Sequence, residues 1–439
     1  MIISLIKNAL ELYYNSKLTK EKLDAKKLKK FRKLIKYIEK KSPYYSKIIK
    51  DNKIDVKICT PSDFPILTKE EYIKNFDIIV TGKKITKEHV SSFLENSLHP
   101  GDLFQNKYIV IHTSGTSGKI AYFLFKENEW LKGFIQSIRL HKLGFRKKFA
   151  YVAATKGHFA GVTLVYYGKR FINKIFYNII TIDINKPFEE IISELNSFNP
   201  KVISGYAKAI KLLANAKNKG ELCINPEVIE CGGEPLFSKD QDYIQKAFKV
   251  PVINVYASSE HLIMGIGKDN YDGMYLMEDE LIYECKKDGI CVTNLFNYTC
   301  PLIRYEMKDI LIPKFDDKKI FNFTKINNLV GRDEYSPVFE NNNGKEDFIH
   351  PIIFVEFFVN NLKGFQIRLD SKKRFTFFAL YSKDISNKEK ILVKKEIDKK
   401  LKNILKEKLM DKVKYNIQEV NELKIDKKTG KFRLIIKNQ

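Results

Sequence analysis

From residue 108 onward, short runs of β-branched and aromatic residues alternate with segments whose apolar residues recur at helical spacing. Strand patterns lie at residues 108–112, 120–125, 149–154, 202–203, 228–230 and 252–255, and helical patterns lie at residues 127–141, 187–198, 206–217 and 238–248. Parallel strands need a long crossover connection, which a helix normally supplies, so this alternation is typical of a largely parallel sheet covered by helices. It constrains the fold more than any other feature and predicts a large α/β domain.

The pattern changes twice further along the chain. A β-rich stretch occupies residues 281–284, 290–295 and 302–305. After Gly331 come strand patterns at 365–369 and 375–381, a Lys-rich helical pattern at 387–408, and strand patterns at 414–417 and 432–436. A chain of 439 residues is also too long for one compact core. We therefore expect a large N-terminal α/β domain (residues 1–331) with mixed sheets flanked by helices, helical over its first 100 residues, and a small C-terminal α+β domain (residues 332–439).

The formal net charge of +25 raises the question of an anionic partner. The densest lysine runs, residues 17–41 and 388–408, carry apolar residues at helical spacing, among them Leu28, Phe31 and Leu34 in the first run. This spacing is typical of amphipathic helices whose lysines face solvent. We expect no specific nucleic-acid partner and at most peripheral membrane contact. The functional alternative is contact with an anionic membrane surface or an acidic carrier protein.

Two further features bear on the compartment and on metals. No stretch approaches the roughly 20 apolar residues that span a bilayer, and the apolar start at residues 1–6 is interrupted by Lys7 and Glu11, so a cytoplasmic protein is expected. None of the six cysteines forms a C-x-x-C pair. A zinc site built from Cys285, Cys291, Cys300 and a histidine is the alternative to buried free thiols.

A loop of small hydroxyl residues and glycines separates the first two strand patterns. It is formed by Thr113, Ser114, Gly115, Thr116, Ser117, Gly118 and Lys119. Such a loop exposes several backbone N–H groups and hydroxyls together, and this arrangement binds phosphate oxygens. A Walker A loop is excluded, because only two residues separate Gly115 from Gly118, Ile120 stands where Ser or Thr is required, and a strand pattern rather than a helix follows. The alternative is a polar turn without a ligand.

The same loop resembles the T-S-G-T-[ST]-G-K loop of the adenylate-forming ligase superfamily, and further motifs of that superfamily follow in its order. Residues 230–236 (ECGGEPL) resemble its G-G-E-P-L segment, and residues 256–260 (YASSE) resemble its Y-G-x-[ST]-E motif. Residues 301–309 (PLIRYEMKD), 331–334 (GRDE) and 429–433 (TGKFR) resemble its P-L-I-R-Y segment with a ribose-binding Asp, its G-R-x-D hinge and its terminal G-K-x-R. The segments at 42–45 (SPYY) and 64–69 (FPILTK) resemble more narrowly the phenylacetate–coenzyme A ligase group and its CapK-like branch.

The resemblance implies a site for ATP and Mg2+. The loop from Thr113 to Lys119 would hold the β- and γ-phosphates, and Glu260 would bind Mg2+, which prefers oxygen ligands. Asp309 would accept hydrogen bonds from the ribose hydroxyls, and Arg332 would support that region. The remaining residues of the implied adenine and α-phosphate site are Gly232, Gly233, Glu234, Pro235, Tyr256, Ala257, Ser258 and Ser259. Two departures from the motifs, Ala257 for a glycine and Lys308 before Asp309, remove no catalytic group.

The resemblance also implies a moving lysine. Lys431 would meet the α-phosphate and the substrate carboxylate as charge develops, and it belongs to the C-terminal part of the chain. The small domain is therefore expected to be mobile: it closes for adenylation and then rotates, which removes the lysine before acyl transfer. Asp333 or Glu334 would be the pivot, with the assignment open because the family's G-R-x-D-D ends here in Glu334 and Tyr335.

The acyl pocket is expected to draw on His158, Phe159 and Tyr206, with His158 either contacting the carboxylate or acceptor or capping a strand end. These residues suit an aromatic or other apolar acid. The expected function is an AMP-forming acid–thiol ligase, with coenzyme A or the phosphopantetheine arm of an acyl carrier protein as acceptor. The alternatives are an adenylate-dependent amide or ester ligase acting on an amine or a sugar hydroxyl, and a degenerate nucleotide-binding or membrane-surface protein. A homodimer is compatible with the sequence.

Overall fold

The computed structural model describes residues 2–82, 84–97, 99–113, 120–140, 146–172, 177–286, 289–315, 320–327, 337–349, 353, 357, 359–382, 385–424 and 434–437. The helices are α1 (Ile2–Asn15), α2 (Lys20–Lys41), α3 (Pro43–Asp51), α4 (Lys69–Lys74), α5 (Phe76–Ile79), α6 (Lys87–Asn96), α7 (Glu127–Ile135), α8 (Ala160–Ile172), α9 (Phe188–Phe198), α10 (Ala207–Asn218), α11 (Ser238–Phe248) and α12 (Asn387–Glu407). Among the described residues, no helix is both long and apolar enough to cross a membrane.

The first nine strands belong to the α/β body. They are β1 (Tyr108–His112), β2 (Tyr122–Lys126), β3 (Lys147–Ala153), β4 (Tyr177–Asp183), β5 (Val202–Tyr206), β6 (Val228–Gly232), β7 (Val252–Ser258), β8 (Leu262–Gly267) and β9 (Met274–Leu276). The later strands are β10 (Leu281–Lys286), β11 (Gly289–Asn294), β12 (Tyr305–Met307), β13 (Lys325–Ile326), β14 (Val338–Glu340), β15 (Glu346–Phe348), β16 (Leu362–Ser371), β17 (Arg374–Tyr381), β18 (Lys414–Glu419) and β19 (Ile435–Lys437).

An eight-stranded mixed sheet forms the body, in the order β13-β9-β8-β7-β6-β5-β3-β4. Strands β4, β3, β5, β6 and β7 pair in parallel, whereas β8, β9 and β13 continue the sheet in antiparallel pairs. The crossovers between parallel strands carry α8 to α11. This arrangement confirms the α/β class and the largely parallel sheet that the alternating pattern predicts.

The sequence features that favour the helices are capping residues at their ends and apolar residues on their buried faces. Thr19 caps α2 by accepting the backbone N–H of Lys22, and α12 begins with a capping box formed by Ser386 and Glu389. Both of these helices bury one apolar stripe, as the 3.6-residue period requires. The buried stripe of α12 consists of Val393, Ile397, Leu401 and Leu405. The lysines of both runs therefore occupy the remaining faces, as predicted, with the exceptions of Lys27 and Lys408 described below.

The last part of the chain has a core of its own. Residues after 336 supply all members of an apolar cluster that joins Phe339, Phe377, Ile397 and Leu434. Strands β18, β17, β16 and β19 form a four-stranded sheet beside α12. This cluster agrees with the prediction of a separate C-terminal domain. The predicted boundary falls within residues 328–336, which lie outside the described residues.

One strand prediction was wrong. Residues 302–304 are not a strand, and β12 begins only at Tyr305. Arg304 has a φ of 49°, in the left-handed region that interrupts a strand. Its guanidinium explains the turn, because it pairs with the carboxylate of Glu284 at 2.8 Å and donates to the backbone oxygen of Phe64 at 2.7 Å. The side chain is thus used to join the N-terminal part to the β-rich stretch.

Candidate active site

The turn between β7 and β8 contacts the end of β1, where the predicted phosphate loop begins. The hydroxyl of Ser259 donates a hydrogen bond to the backbone oxygen of His112 at 3.0 Å. Ser258 pairs with Leu262 across the hairpin, so residues 259–261 form a tight turn whose position is fixed by two strands. The motif at 256–260 therefore lies directly beside Thr113, although the two are far apart in sequence.

Thr113 is buried and oriented by several bonds. Its hydroxyl oxygen accepts the backbone N–H of Ala121 at 3.1 Å and lies 3.4 Å from the ammonium of Lys69. Because β1 and β2 are antiparallel partners, the loop between them begins and ends at the same place. Ser114, Gly115, Thr116, Ser117, Gly118 and Lys119 lie outside the described residues, so their phosphate contacts stay predictions.

Lys69 is a site residue that the sequence reasoning did not single out. Leu67 pairs with the start of β12: its N–H donates to the backbone oxygen of Arg304 at 3.1 Å, and its oxygen accepts the N–H of Glu306 at 2.9 Å. This bridge carries the first residue of α4, Lys69, to Thr113. The only sequence signal was its place in the segment at 64–69, which supported the narrower resemblance without indicating a role.

Glu260 is recessed beside Lys69. The phenol of Tyr305 donates to its carboxylate at 3.4 Å. Burial raises the pKa of Glu260, and the nearby positive charge of Lys69 acts in the opposite direction. Among the described residues, no group of three or more metal-ligating side chains is found. A single carboxylate nevertheless fits Mg2+, which in nucleotide sites is held by one or two carboxylates together with phosphate oxygens and water.

Two predicted nucleotide contacts are bonded to each other. The phenol of Tyr256, at the end of β7, donates to the Oδ2 atom of Asp309 at 2.9 Å. Tyr256 is buried, and burial together with the Asp309 charge raises its pKa well above the usual range. The tyrosine therefore stays a neutral donor and orients the half-buried carboxylate.

The predicted adenine segment follows β6. Gly233 has a φ of +74°, and a Cβ there would approach the ring of Tyr206 to 3.0 Å. Both the backbone conformation and the close ring therefore require glycine. The carboxylate of Glu234 accepts the backbone N–H of Lys208 at 3.1 Å, at the start of α10. This contact turns the Glu234 side chain toward the helix, so the segment presents backbone groups rather than a carboxylate.

His158 and Phe159 contact the end of β1. The Nδ1 atom of His158 is 3.1 Å from the backbone oxygen of Val110, and its Nε2 atom is 3.1 Å from the hydroxyl of Ser97. Burial lowers the pKa of this histidine. Both ring nitrogens have protein partners in this arrangement. It therefore favours the expectation that His158 caps a strand end. The ring of Phe159 lies 4.9 Å from that of His112.

A cavity of about 210 Å3 lies between the body and α12. Ala154, Lys156 and Phe159 line it on the body side, and Lys400 and Ile404 line it on the helix side. Of the residues expected in the acyl pocket, Phe159 is the one that lines this cavity. The cavity therefore belongs to both parts of the chain, and its shape depends on how α12 sits against the body.

A buried ion pair lies beside this cavity. The Lys408 ammonium is 3.2 Å from the carboxylate of Asp347, and both side chains are 1% exposed. Lys408 also donates to the backbone oxygens of Lys186 at 2.9 Å and Ile184 at 3.4 Å, in the loop after β4. Burial lowers the pKa of Lys408, while the charge of Asp347 opposes the shift. The lysine that directly follows α12 thus joins the C-terminal part to the body.

Four further predicted site residues, Lys431, Arg332, Asp333 and Glu334, lie outside the described residues, and their roles stay predictions. The structure therefore brings together Thr113, the 256–260 motif and Asp309, and it adds Lys69.

The fold is shared by a solved CoA ligase. The fold is similar to that of a 2-hydroxyisobutyryl-CoA ligase solved with 2-HIB-AMP and CoA in the thioesterification state, with a TM-score of 0.61, 16% identity, and coverage of 97% of this chain and 91% of that one. The open conformation of the same ligase gives a TM-score of 0.56 at 12% identity, covering 94% and 90% of the two chains. No protein-family model matches the chain.

Two curated proteins are similar in sequence. One is Protein CapK of Staphylococcus aureus, 27% identical over 340 aligned residues, with coverage of 69% of this chain and 66% of CapK. The other is indoleacetate–lysine synthetase of Pseudomonas savastanoi, 29% identical over 151 aligned residues, with coverage of 31% of this chain and 38% of the synthetase. The chain thus spans just under two thirds of the length of the first relative. These similarities confirm the resemblance to the adenylate-forming superfamily.

Proposed function

We propose that the chain is an ATP-dependent, AMP-forming carboxylic acid ligase. The contact that carries the proposal is the bond from Ser259 to the His112 oxygen, which holds the 256–260 motif against the start of the phosphate loop. The Tyr256–Asp309 bond supports Asp309 as the ribose contact, because it connects this carboxylate to the other end of the same motif. Two hydrogen bonds thus connect three separate sequence motifs to which the resemblance assigns nucleotide contacts.

The first half-reaction needs alignment and charge neutralisation more than proton transfer. The substrate carboxylate is already ionised, so it attacks the α-phosphorus of ATP and pyrophosphate leaves without a general base. Lys69 and the residues from Thr113 to Lys119 supply positive charge and donors for the phosphates. Glu260 would hold Mg2+, which neutralises phosphate charge when bound. Lys431 would stabilise the charge that develops at the α-phosphate.

The second half-reaction passes the acyl group to an acceptor, and here two candidates differ. An acid–thiol ligase acting on coenzyme A or a carrier-protein phosphopantetheine is favoured by the likeness in fold to a ligase solved with CoA. An amide ligase is favoured by the sequence relative named for joining indoleacetate to lysine. We place the thiol first because that fold likeness covers nearly the whole chain. The acid would be aromatic or otherwise apolar, given Phe159 and Tyr206. The setting would be the cytoplasm, and a carrier-protein partner or a homodimer stays part of this proposal.

The decisive experiment is a screen of carboxylic acids for ATP-dependent pyrophosphate release. Aryl, aliphatic and amino acids would be tested alone and then with coenzyme A, lysine or an amino sugar. We expect one class of acid to support release and one acceptor to increase turnover. Glu260→Gln is the matched control, because it keeps the shape and removes the charge. Absence of acid-dependent release over the whole panel would contradict the proposal, and stimulation by an amine alone would select the amide ligase.

A further inference from the structure

Helices α1 and α2 form a hairpin on the surface of the body. The carboxylate of Glu11 in α1 lies 2.9 Å from the Lys26 ammonium and 3.0 Å from the Lys30 ammonium, both in α2, so the two helices lie side by side. The inner side of α2 is held by buried acids: Lys27 pairs with Glu278 at 3.2 Å and Lys30 with Glu280 at 2.6 Å. These pairs fix which faces of the hairpin point away from the body.

The outward face of α1 is apolar. Ile6, Leu10, Tyr13 and Tyr14 are 56%, 51%, 55% and 63% exposed. Their spacing of four, seven and eight residues from Ile6 places them on one side of the helix, opposite the buried Leu12. Single exposed apolar residues are ordinary, but a contiguous stripe on one helix marks an interaction surface.

The outward face of α2 carries only lysines. Lys22, Lys29, Lys33, Lys36 and Lys40 are all exposed. At about 100° per residue they fall within a sector of roughly 60°, and Glu21, Asp24 and Glu39 lie outside it. None of these lysines has an ion-pair partner within the part of the chain that the structure describes. Helix α12 differs, because its exposed lysines alternate with Glu396, Asp398 and Glu407.

We propose that the α1–α2 hairpin binds the surface of an anionic lipid bilayer. The apolar stripe would enter the boundary between headgroups and acyl chains, and the lysine stripe beside it would lie over anionic headgroups. The tyrosines suit this depth, because the ring is apolar and the hydroxyl polar, and the ammonium of Lys17 lies 4.1 Å from the centre of the Tyr13 ring. Nucleic acid or an acidic protein would use the lysines but would leave Ile6 and Leu10 in water. A bilayer accounts for both stripes at once.

The test is flotation of the full chain with vesicles. One set of vesicles contains phosphatidylcholine alone and the other contains about one third phosphatidylglycerol, and each is measured at low salt and at roughly 1 M salt. We expect binding only to the anionic vesicles, weakened at high salt. The apolar variant Ile6→Gln/Leu10→Gln should lower the bound fraction at least about tenfold. The five substitutions Lys22→Gln, Lys29→Gln, Lys33→Gln, Lys36→Gln and Lys40→Gln should lower it at least as much.

Helix α12 offers matched controls for both variants. Ile391 and Leu392 are 57% and 63% exposed, so Ile391→Gln/Leu392→Gln removes comparable apolar surface elsewhere. Five exposed lysines of α12, Lys388, Lys394, Lys395, Lys399 and Lys406, provide the same change in net charge when replaced by Gln. Both control variants should float as the unmodified chain does. Circular dichroism of every variant confirms that it folds.

Three outcomes would overturn the proposal. The first is an absence of binding to anionic vesicles by the unmodified chain. The second is equal loss in the α12 control variants, which would mean that net charge or hydrophobicity in general decides. The third is retention of vesicle binding by the apolar variant together with lysine-dependent binding of duplex RNA or DNA, which would make nucleic acid the partner. The measurement needs no substrate, so its failure is separate from failure of the proposed ligase activity.

Discussion

The phenol oxygen of Tyr256 lies 2.9 Å from Oδ2 of Asp309, although the two residues are 53 positions apart in the chain. Each was identified separately from a different motif, one as an adenine contact and the other as a ribose contact. The bond makes them one unit, because the neutral phenol fixes the rotamer of the carboxylate that would receive the ribose hydroxyls. It also gives a direct way to test whether a nucleotide binds here.

The first prediction is that the carboxylate of Asp309 binds the ribose hydroxyls of ATP. Asp309→Asn should raise the KM for ATP about tenfold or more, since hydrogen bonds to a charged acceptor contribute about 1.5–3 kcal/mol. The unmodified enzyme should prefer ATP to 2′-deoxy-ATP, and Asp309→Asn should lose most of that preference. Tyr256→Phe should have a smaller effect of the same kind. Steady-state kinetics with both nucleotides check this, and an unchanged preference in Asp309→Asn would refute the assignment.

The second prediction concerns pH and Lys69. Burial raises the pKa of Glu260, whereas the charge of Lys69 lowers it, so removing the lysine should raise that pKa further. Only the ionised carboxylate can hold Mg2+, so activity falls as the pH drops through this pKa. Lys69→Met should therefore move the acid limb of the pH–rate profile for pyrophosphate release to higher pH, and Lys69→Arg should move it back.

Lys74→Met, an exposed lysine at the other end of α4, is the matched control for that profile and should leave the acid limb in place. If Lys69→Met lowered the rate equally at every pH, Lys69 would act on the phosphates alone and not through Glu260.

A third prediction tests Lys431 as the residue that meets the α-phosphate. Lys431→Ala should lower kcat for adenylate formation by several orders of magnitude with little change in ATP binding, because the contact is made mainly in the transition state. Acid-dependent pyrophosphate exchange and equilibrium nucleotide binding would be measured together. Exchange close to that of the unmodified enzyme would remove Lys431 from the mechanism.

The fourth prediction concerns the buried pair of Lys408 and Asp347. Removing one partner leaves a buried charge, so Lys408→Met should lower the free energy of unfolding by about 3–5 kcal/mol. Adding Asp347→Asn should restore part of that loss, since the unpaired charge disappears. Chemical denaturation of the two single variants and the double variant measures the coupling.

Glu346 directly precedes Asp347 in β15 and forms an exposed ion pair with Lys372. This exposed pair is the control for the cycle. Lys372→Met should cost less than about 1 kcal/mol, because exposed ion pairs contribute little. Equal costs for Lys372→Met and Lys408→Met would show that burial does not set the strength of the Lys408 pair.

The fifth prediction separates the two half-reactions at the hinge. Asp333→Pro and Glu334→Pro, made separately, should leave adenylate formation largely intact and abolish acyl transfer, because a hinge residue absorbs the change in φ and ψ between two arrangements. Each half-reaction would be measured on its own in each variant. Equal losses in both would indicate misfolding or a hinge elsewhere.

The sequence alone determined the class of fold and predicted most of the candidate site. Strands and helices such as β1, β6 and α11 follow from local periodicity, and the motif residues from Thr113 to Asp309 stand in short local strings, so neither depends on knowing distant contacts. Where a side chain overrode local preference, as Arg304 does at the start of β12, the sequence prediction failed.

Only the tertiary structure singled out Lys69 and Lys408 among the charged residues. The chain has 78 lysines and arginines, and nothing local indicates a role for Lys69 or Lys408. Lys69 is set apart by a backbone bridge to β12 that carries it to Thr113, and Lys408 by burial against a carboxylate and two backbone oxygens of the body. The outward stripes of α1 and α2 likewise depend on how the two helices pack, which the ion pairs between Glu11 and α2 define. Burial and charge pairing are properties of long-range contacts, and a sequence specifies those contacts only through the complete fold.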